Sequence, residues 1–180
     1  AHTTVRLSLG AGGTQASGSS WGAAMSPDGR YVAYTSDAAN LVPGDTNGYA
    51  DVFLLDRQTG TVKPVSTSSA GAQGNGVSEN PQISSDGRYV AFESQATNLV
   101  TGDTNGAMDV FVKDMTTGTV QRVSVTNAGK QYESGGSTGD GTDMSMSADG
   151  RYVTFVGQTT TVVAQLYVRD RTAGTTTLVS

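Results

Sequence analysis

Three near-copies of one octapeptide constrain this chain more than any other feature. Ser26-Pro27-Asp28-Gly29-Arg30-Tyr31-Val32-Ala33 recurs as Ser84-Ser85-Asp86-Gly87-Arg88-Tyr89-Val90-Ala91. A looser copy follows as Ser147-Ala148-Asp149-Gly150-Arg151-Tyr152-Val153-Thr154. The first two lie 58 residues apart (Asp28 to Asp86) and the next two 63 (Asp86 to Asp149). Periods of this length mark stacked supersecondary units, none of which can bury its apolar face alone.

One period reads as four short strands. Ala23-Ala24-Met25-Ser26 is apolar and Pro27-Asp28-Gly29 reverses the chain; Asp-Gly between β-prone runs is a hairpin signal. Tyr31-Val32-Ala33-Tyr34 follows, then a long connection to Asp51-Val52-Phe53-Leu54-Leu55-Asp56. Thr59-Gly60 turns the chain into Thr61-Val62-Lys63-Pro64-Val65-Ser66. Strands two and three are apolar almost throughout, the pattern of a sheet covered on both faces. Pro64 has no amide to give a ladder, which places strand four at an edge. The 24 glycines, with Leu, Lys and Glu scarce, argue against helices. The expected fold is all-β, each repeat a four-stranded antiparallel propeller blade.

Ser-x-Asp-Gly-Arg-Tyr-Val-Ala, followed by Asn-Leu-Val-x-Gly-Asp-Thr-Asn-Gly-x-x-Asp-Val-Phe, resembles the TolB-type, WD-like β-propeller repeat of bacterial proteins. The resemblance implies blades at 23–66, 81–124 and 143–180. The third departs from it, with Gly157-Gln158-Thr159-Thr160-Thr161-Val162-Val163 in place of the Gly-Asp-Thr-Asn-Gly loop. Fold resemblance alone assigns no activity.

The phase of the ends adds an expectation. Ser8 aligns with Ser66 and Gln15 with Gln73, so residues 3–8 read as an outer strand lacking its own first three. One orphan outer strand plus three blades cannot close a ring, since propellers close with about four to eight blades. The chain is thus expected to belong to a larger propeller of six or seven blades, completed by a complementary half. A second copy closing a six-bladed ring, or an open three-blade stack with aggregation-prone flanks, are the alternatives.

A formal charge of −5 excludes a broad electrostatic hold on nucleic acid. No apolar run approaches the roughly 20 residues of a spanning helix, so no membrane insertion is expected. With no cysteine there is neither a disulfide framework nor a thiolate metal site.

Two loops carry metal-like spacing: Asp45, Asn47 and Asp51, and Asp103, Asn105 and Asp109. Oxygen donors curled around a glycine resemble what Ca²⁺ prefers, although no bidentate Glu follows. The competing and favoured reading is that these side chains bond their own backbone to shape a turn. Gly135-Gly136-Ser137-Thr138-Gly139 fits the nucleophile-elbow spelling, but His2 is the only histidine and the strand–turn–helix context is missing. Asp28, Asp86 and Asp149, like Asp56, Asp114 and Asp170, recur at equivalent turns and read as turn-makers. Arg30, Arg88 and Arg151 recur too and read as making structural pairs or bonds to carbonyls. Asp140 and Asp143 are unique to one loop, with nothing converging on them.

Departures from the repeat are where function concentrates. Three inter-blade loops (9–22, 67–81, 125–142) share a Gly-x-Gln cue at Gln15, Gln73 and Gln131, which reads as structural. The first carries Trp21, the only tryptophan; the third is longer and adds Lys130, Tyr132 and Glu133. Aromatics among small polar residues suit a protein-contacting loop, although both rings also suit packing between blades. The expected function is non-catalytic: a secreted or envelope-located propeller that binds a protein, with extracellular proteases suggested by the resemblance. The alternatives are part of a propeller hydrolase, or its accessory domain, with catalytic residues outside this chain, and a Ca²⁺-stabilised adhesion module.

Overall fold

A computed structural model describes residues 4–133, 144–159 and 162–179. It contains twelve strands in three four-stranded antiparallel sheets, each formed by strands consecutive in sequence. Blade 1 comprises β1 (Ser20–Met25), β2 (Tyr31–Ser36), β3 (Asp51–Asp56) and β4 (Thr61–Pro64). Blade 2 comprises β5 (Ser78–Ile83), β6 (Tyr89–Ser94), β7 (Asp109–Asp114) and β8 (Val120–Arg122). Blade 3 comprises β9 (Ser145–Met146), β10 (Tyr152–Thr159), β11 (Val162–Asp170) and β12 (Thr175–Leu178). Among the described residues no helix is long and apolar enough to cross a membrane.

The continuous apolar runs are where both faces are covered. Five of six residues are buried in each of β2, β3 and β6, and all six in β7. β4 is largely exposed and ends at Pro64 on the sheet edge, as proline requires. In blade 3 the missing loop lets β10 and β11 run on as one long hairpin, paired from Tyr152–Asp170 to Thr159–Val162.

Two details add to the sequence reading. Residues 4–8 join no sheet; the nearest pairing is an isolated bridge between Leu9 and Gln15. An outer strand needs a third strand to ladder against, and none of the described strands is free to serve. The first strand of blade 1 also starts earlier than Ala23, so Trp21 lies on β1 rather than in a loop.

Packing between blades forms the core. Ala33, Val52 and Leu54 of blade 1 meet Val90, Phe92 and Phe111 of blade 2. Ala91, Val110 and Val112 of blade 2 meet Val153 and Phe155 of blade 3 in the same way. The corresponding outer face of blade 1 (Val32, Tyr34, Phe53, Leu55) is covered by Leu7 and Ala16 instead. The Asp-Gly turns interlock with this stack: a Cβ added at Gly87 would stand 2.5 Å from Cγ of Tyr31, and Gly150 bears on Tyr89 equivalently. Lys113 adds a polar staple, its buried ammonium donating to the carbonyls of Thr67 (2.9 Å) and Ser68 (3.0 Å).

The recurrent charges are structural, as their repetition implies. Asp28 accepts from Ser26 and from the Arg30 amide, holding the turn. Arg30, Arg88 and Arg151 pair with Asp56, Asp114 and Asp170 at 2.7–2.8 Å and cover Tyr31, Tyr89 and Tyr152. Hydrogen bonds from the arginines hold the Asp56 and Asp114 carboxyls down at about 2. Burial instead raises Asp51 and Asp109. The signs oppose. The first pair contributes stability that is complete above the ordinary carboxylate range of about 4 and is lost as pH falls toward 2. The second pair costs stability at neutral pH, and that cost is relieved on protonation. Denaturation midpoints should therefore hold nearly level on mild acidification and then drop steeply between about pH 4 and pH 2. Asp114→Asn should flatten the drop. A steady decline from pH 7 would contradict the assignment.

Candidate partner-binding surface

β1 carries the exposed large hydrophobic side chains among the strands of blades 1 and 2. Trp21 is 41% exposed and Met25 60%. The strand reaches Trp21 because a β-bulge re-aims it: register slips between Trp21 and Ala24, with Gly22 at φ +59°. β5 repeats the device at Asn80, the only described non-glycine residue with positive φ (+54°), between Glu79 and Gln82. The bulge therefore belongs to the repeat, whereas the side chain before it does not: Trp21 stands where blade 2 has Glu79.

Trp21 borders a cavity of about 210 Å³ lined also by Leu7, Ser8, Val32 and Tyr34. The Tyr34 hydroxyl is buried, has no hydrogen-bond partner among the described residues, and is pushed up to about 12 by burial. Phe92 and Phe155 take this place in blades 2 and 3, so the hydroxyl is peculiar to the first. A mostly apolar hollow beside a half-exposed tryptophan suits an apolar side chain of a partner. A larger cavity, about 660 Å³, lies between residues 5–13 and the outer part of blade 1.

The third inter-blade loop divides differently from its sequence reading. Lys130 and Glu133 are exposed, but Tyr132 is only 5% exposed and is not available as a contact residue. Its ring lies 5.6 Å from Phe155 and 5.0 Å from Tyr167, over Gly157. Trp21 and the Lys130–Glu133 pair therefore do not share one aromatic patch. Gln73 and Gln131 serve as structural cues: each accepts from the Thr46 or Thr104 amide. Ser137, His2, Asp140 and Asp143 lie outside the described residues.

The Asp/Asn loops are internally bonded. Asn47 turns its amide nitrogen, not its oxygen, to Asp51 (2.7 Å), and its oxygen accepts from the Tyr49 amide. Asn105 does the same with Asp109 (2.9 Å) and Ala107. In blade 2 a guanidinium joins them, Arg122 standing 3.3 Å from Asp103 and 3.7 Å from Asp109. Among the described residues no three His, Cys, Asp or Glu side chains converge as a metal-holding group.

Neither a family model nor a curated protein matches the sequence. Solved structures do resemble it. TolB from Acinetobacter baumannii gives a TM-score of 0.58 at 19% identity, over 93% of this chain and 33% of that one. The β-propeller domain of the Trilobed protease from Pyrococcus furiosus gives 0.54 at 13%, over 91% and 41%. A puromycin-hydrolyzing peptidase of Mycobacterium tuberculosis gives 0.55 at 14%, over 89% and 20%. These likenesses show the fold, a β-propeller like that of TolB, of which this chain carries three blades. The chain spans between a fifth and two fifths of those three structures.

Proposed function

We propose that this chain is a non-catalytic propeller segment that binds another protein through the inner strand of blade 1, with an extracellular protease as the candidate partner and the cell envelope or exterior as the setting. The observation that carries the reading is Trp21: it breaks the repeat, stands on a bulged strand and borders a mostly apolar hollow. Half-exposed tryptophans beside such hollows are the side chains that dominate interface energies. A propeller that completes the flank, a complementary half or a second copy, fits the same architecture. Among the described residues, Tyr152, 41% exposed, has no glycine turn against it, and no tyrosine bears on Gly29.

Surface plasmon resonance of the immobilised chain against a panel of secreted proteases tests the proposal. Trp21→Ala should weaken a specific complex by about 2 kcal/mol, roughly 30-fold, without lowering the melting temperature. Unchanged affinity would remove Trp21 from the interface. The second reading, an accessory propeller of a hydrolase, is supported by the peptidases among the similar structures. Peptide turnover by a longer form of the protein, absent from this chain alone, would favour it.

A further inference from the structure

Blade 2 contains a filled pocket whose duplicate in blade 1 lacks its occupant. Arg122 enters from β8, its side chain only 10% exposed. Its Nη1 donates to Oε1 of Gln131 (2.7 Å) and lies 3.3 Å from Asp103 Oδ1 and 3.7 Å from Asp109 Oδ2. Its Nη2 donates to the Gly102 carbonyl (3.3 Å). The four residues around the guanidinium recur 58 positions earlier as Gly44, Asp45, Asp51 and Gln73, but the arginine does not: its counterpart is Pro64.

These four residues, with Pro64 among the others, line a cavity of about 160 Å³. Asp51 is 3% exposed, and neither it nor Asp45 forms an ion pair among the described residues. One local change marks the absent cation. Gln73 turns its amide nitrogen to Asp45 (3.1 Å), whereas Gln131 gives its own to Thr104 (3.1 Å) and leaves Asp103 to the arginine. The rim residues Pro43, Gly44, Pro64 and Gly71 are exposed, so the hollow is reached from the outer edge of the blade.

We propose that this blade 1 pocket binds a guanidinium, the arginine side chain of a partner polypeptide, in the place that Arg122 fills in blade 2. The second observation beyond two acidic residues is the duplicate itself, in which the same residue set holds a guanidinium. In blade 2 the fork donates to an amide oxygen and a carbonyl and stands within ion-pair distance of two carboxylates, with its Nε unpartnered among the described residues. A planar guanidinium spans acceptors and charges spread this way better than a compact ammonium does. Burial beside Asp45 raises the Asp51 carboxyl, and a bound cation would offset that cost. The pocket's capacity for a guanidinium stands independently of any partner; its use by a protein rests on the reading under Proposed function.

Calorimetric titration with N-acetyl-arginine methylamide, against the lysine analogue, tests the pocket directly. The wild-type chain should bind the arginine probe about tenfold more tightly than the lysine probe. Pro64→Arg should abolish that binding, because its own guanidinium then fills the hollow, and should raise the melting temperature. Asp45→Asn should weaken the probe while Trp21→Ala leaves it unchanged, which separates failure of this site from failure of the β1 surface. Arg122→Ala, where it folds, should add a second probe site in blade 2. Equal binding by wild type and Pro64→Arg, or no binding by wild type, overturns the proposal. So does Ca²⁺ binding to the Asp45–Asp51 loop with no response to the arginine probe.

Discussion

Gly87→Ala should lower stability by about 3 kcal/mol, far more than a methyl group on a surface turn ordinarily costs. Two penalties meet at this residue. Its φ of +73° is a left-handed conformation that costs a residue with a Cβ roughly 1–2 kcal/mol. The new methyl would also stand 2.5 Å from Cγ of Tyr31 in the neighbouring blade, an overpacking cost of about 1–3 kcal/mol. Gly60 isolates the first penalty, with φ +71° and nothing within 4 Å of an added Cβ. Gly60→Ala should therefore cost only about 1–2 kcal/mol. In a Tyr31→Ala background the Gly87→Ala penalty should shrink toward the Gly60 value, because the ring is gone. Denaturant titrations of the two single variants and the double variant measure this coupling. Equal costs for Gly60→Ala and Gly87→Ala would mean that the turn glycine does not lock the blades together.

That interlock shows where sequence reasoning stops. The Asp-Gly turn and its positive φ are legible because both are local. The second role of the glycine is not, since Tyr31 lies 56 residues away in sequence and belongs to the preceding blade. The strands of blades 1 and 2 are legible because burial on both faces leaves apolar runs. Trp21 reads as a loop residue because the apolar run of the first strand starts at Ala23, while in the fold a bulge at Gly22 lets β1 begin earlier. Tyr132 reads as a contact aromatic because its partners Gly157 and Phe155 come from the repeat that departs most from the pattern. The exchange of Arg122 for Pro64 is visible once the repeats are aligned. Its meaning is not, because an edge strand reads as solvated and nothing in its spelling shows that one side chain turns inward between two carboxylates.

Phe92→Ala should be the most damaging of the substitutions considered, costing about 4 kcal/mol. The ring has no exposed surface and lies 5.8 Å from Phe111 in a near-parallel stack, packed in the cluster shared with Ala33, Val52 and Leu54. Removing it leaves a cavity that rigid strands on both sides cannot close, so the loss exceeds the transfer term alone. The position on the blade 1–blade 2 interface makes the damage directional. Amides of β2 and β3 should lose hydrogen-exchange protection while those of β10 and β11, held by the separate Phe155 cluster, keep most of theirs. Tyr34→Phe is the control at the equivalent position of blade 1. Its hydroxyl is buried without a partner among the described residues, so removing it should cost nothing or stabilise slightly. A uniform loss of protection across all three blades on Phe92→Ala would show instead that the stack unfolds as one unit. The blades would then not be the nearest-neighbour modules that their repetition implies.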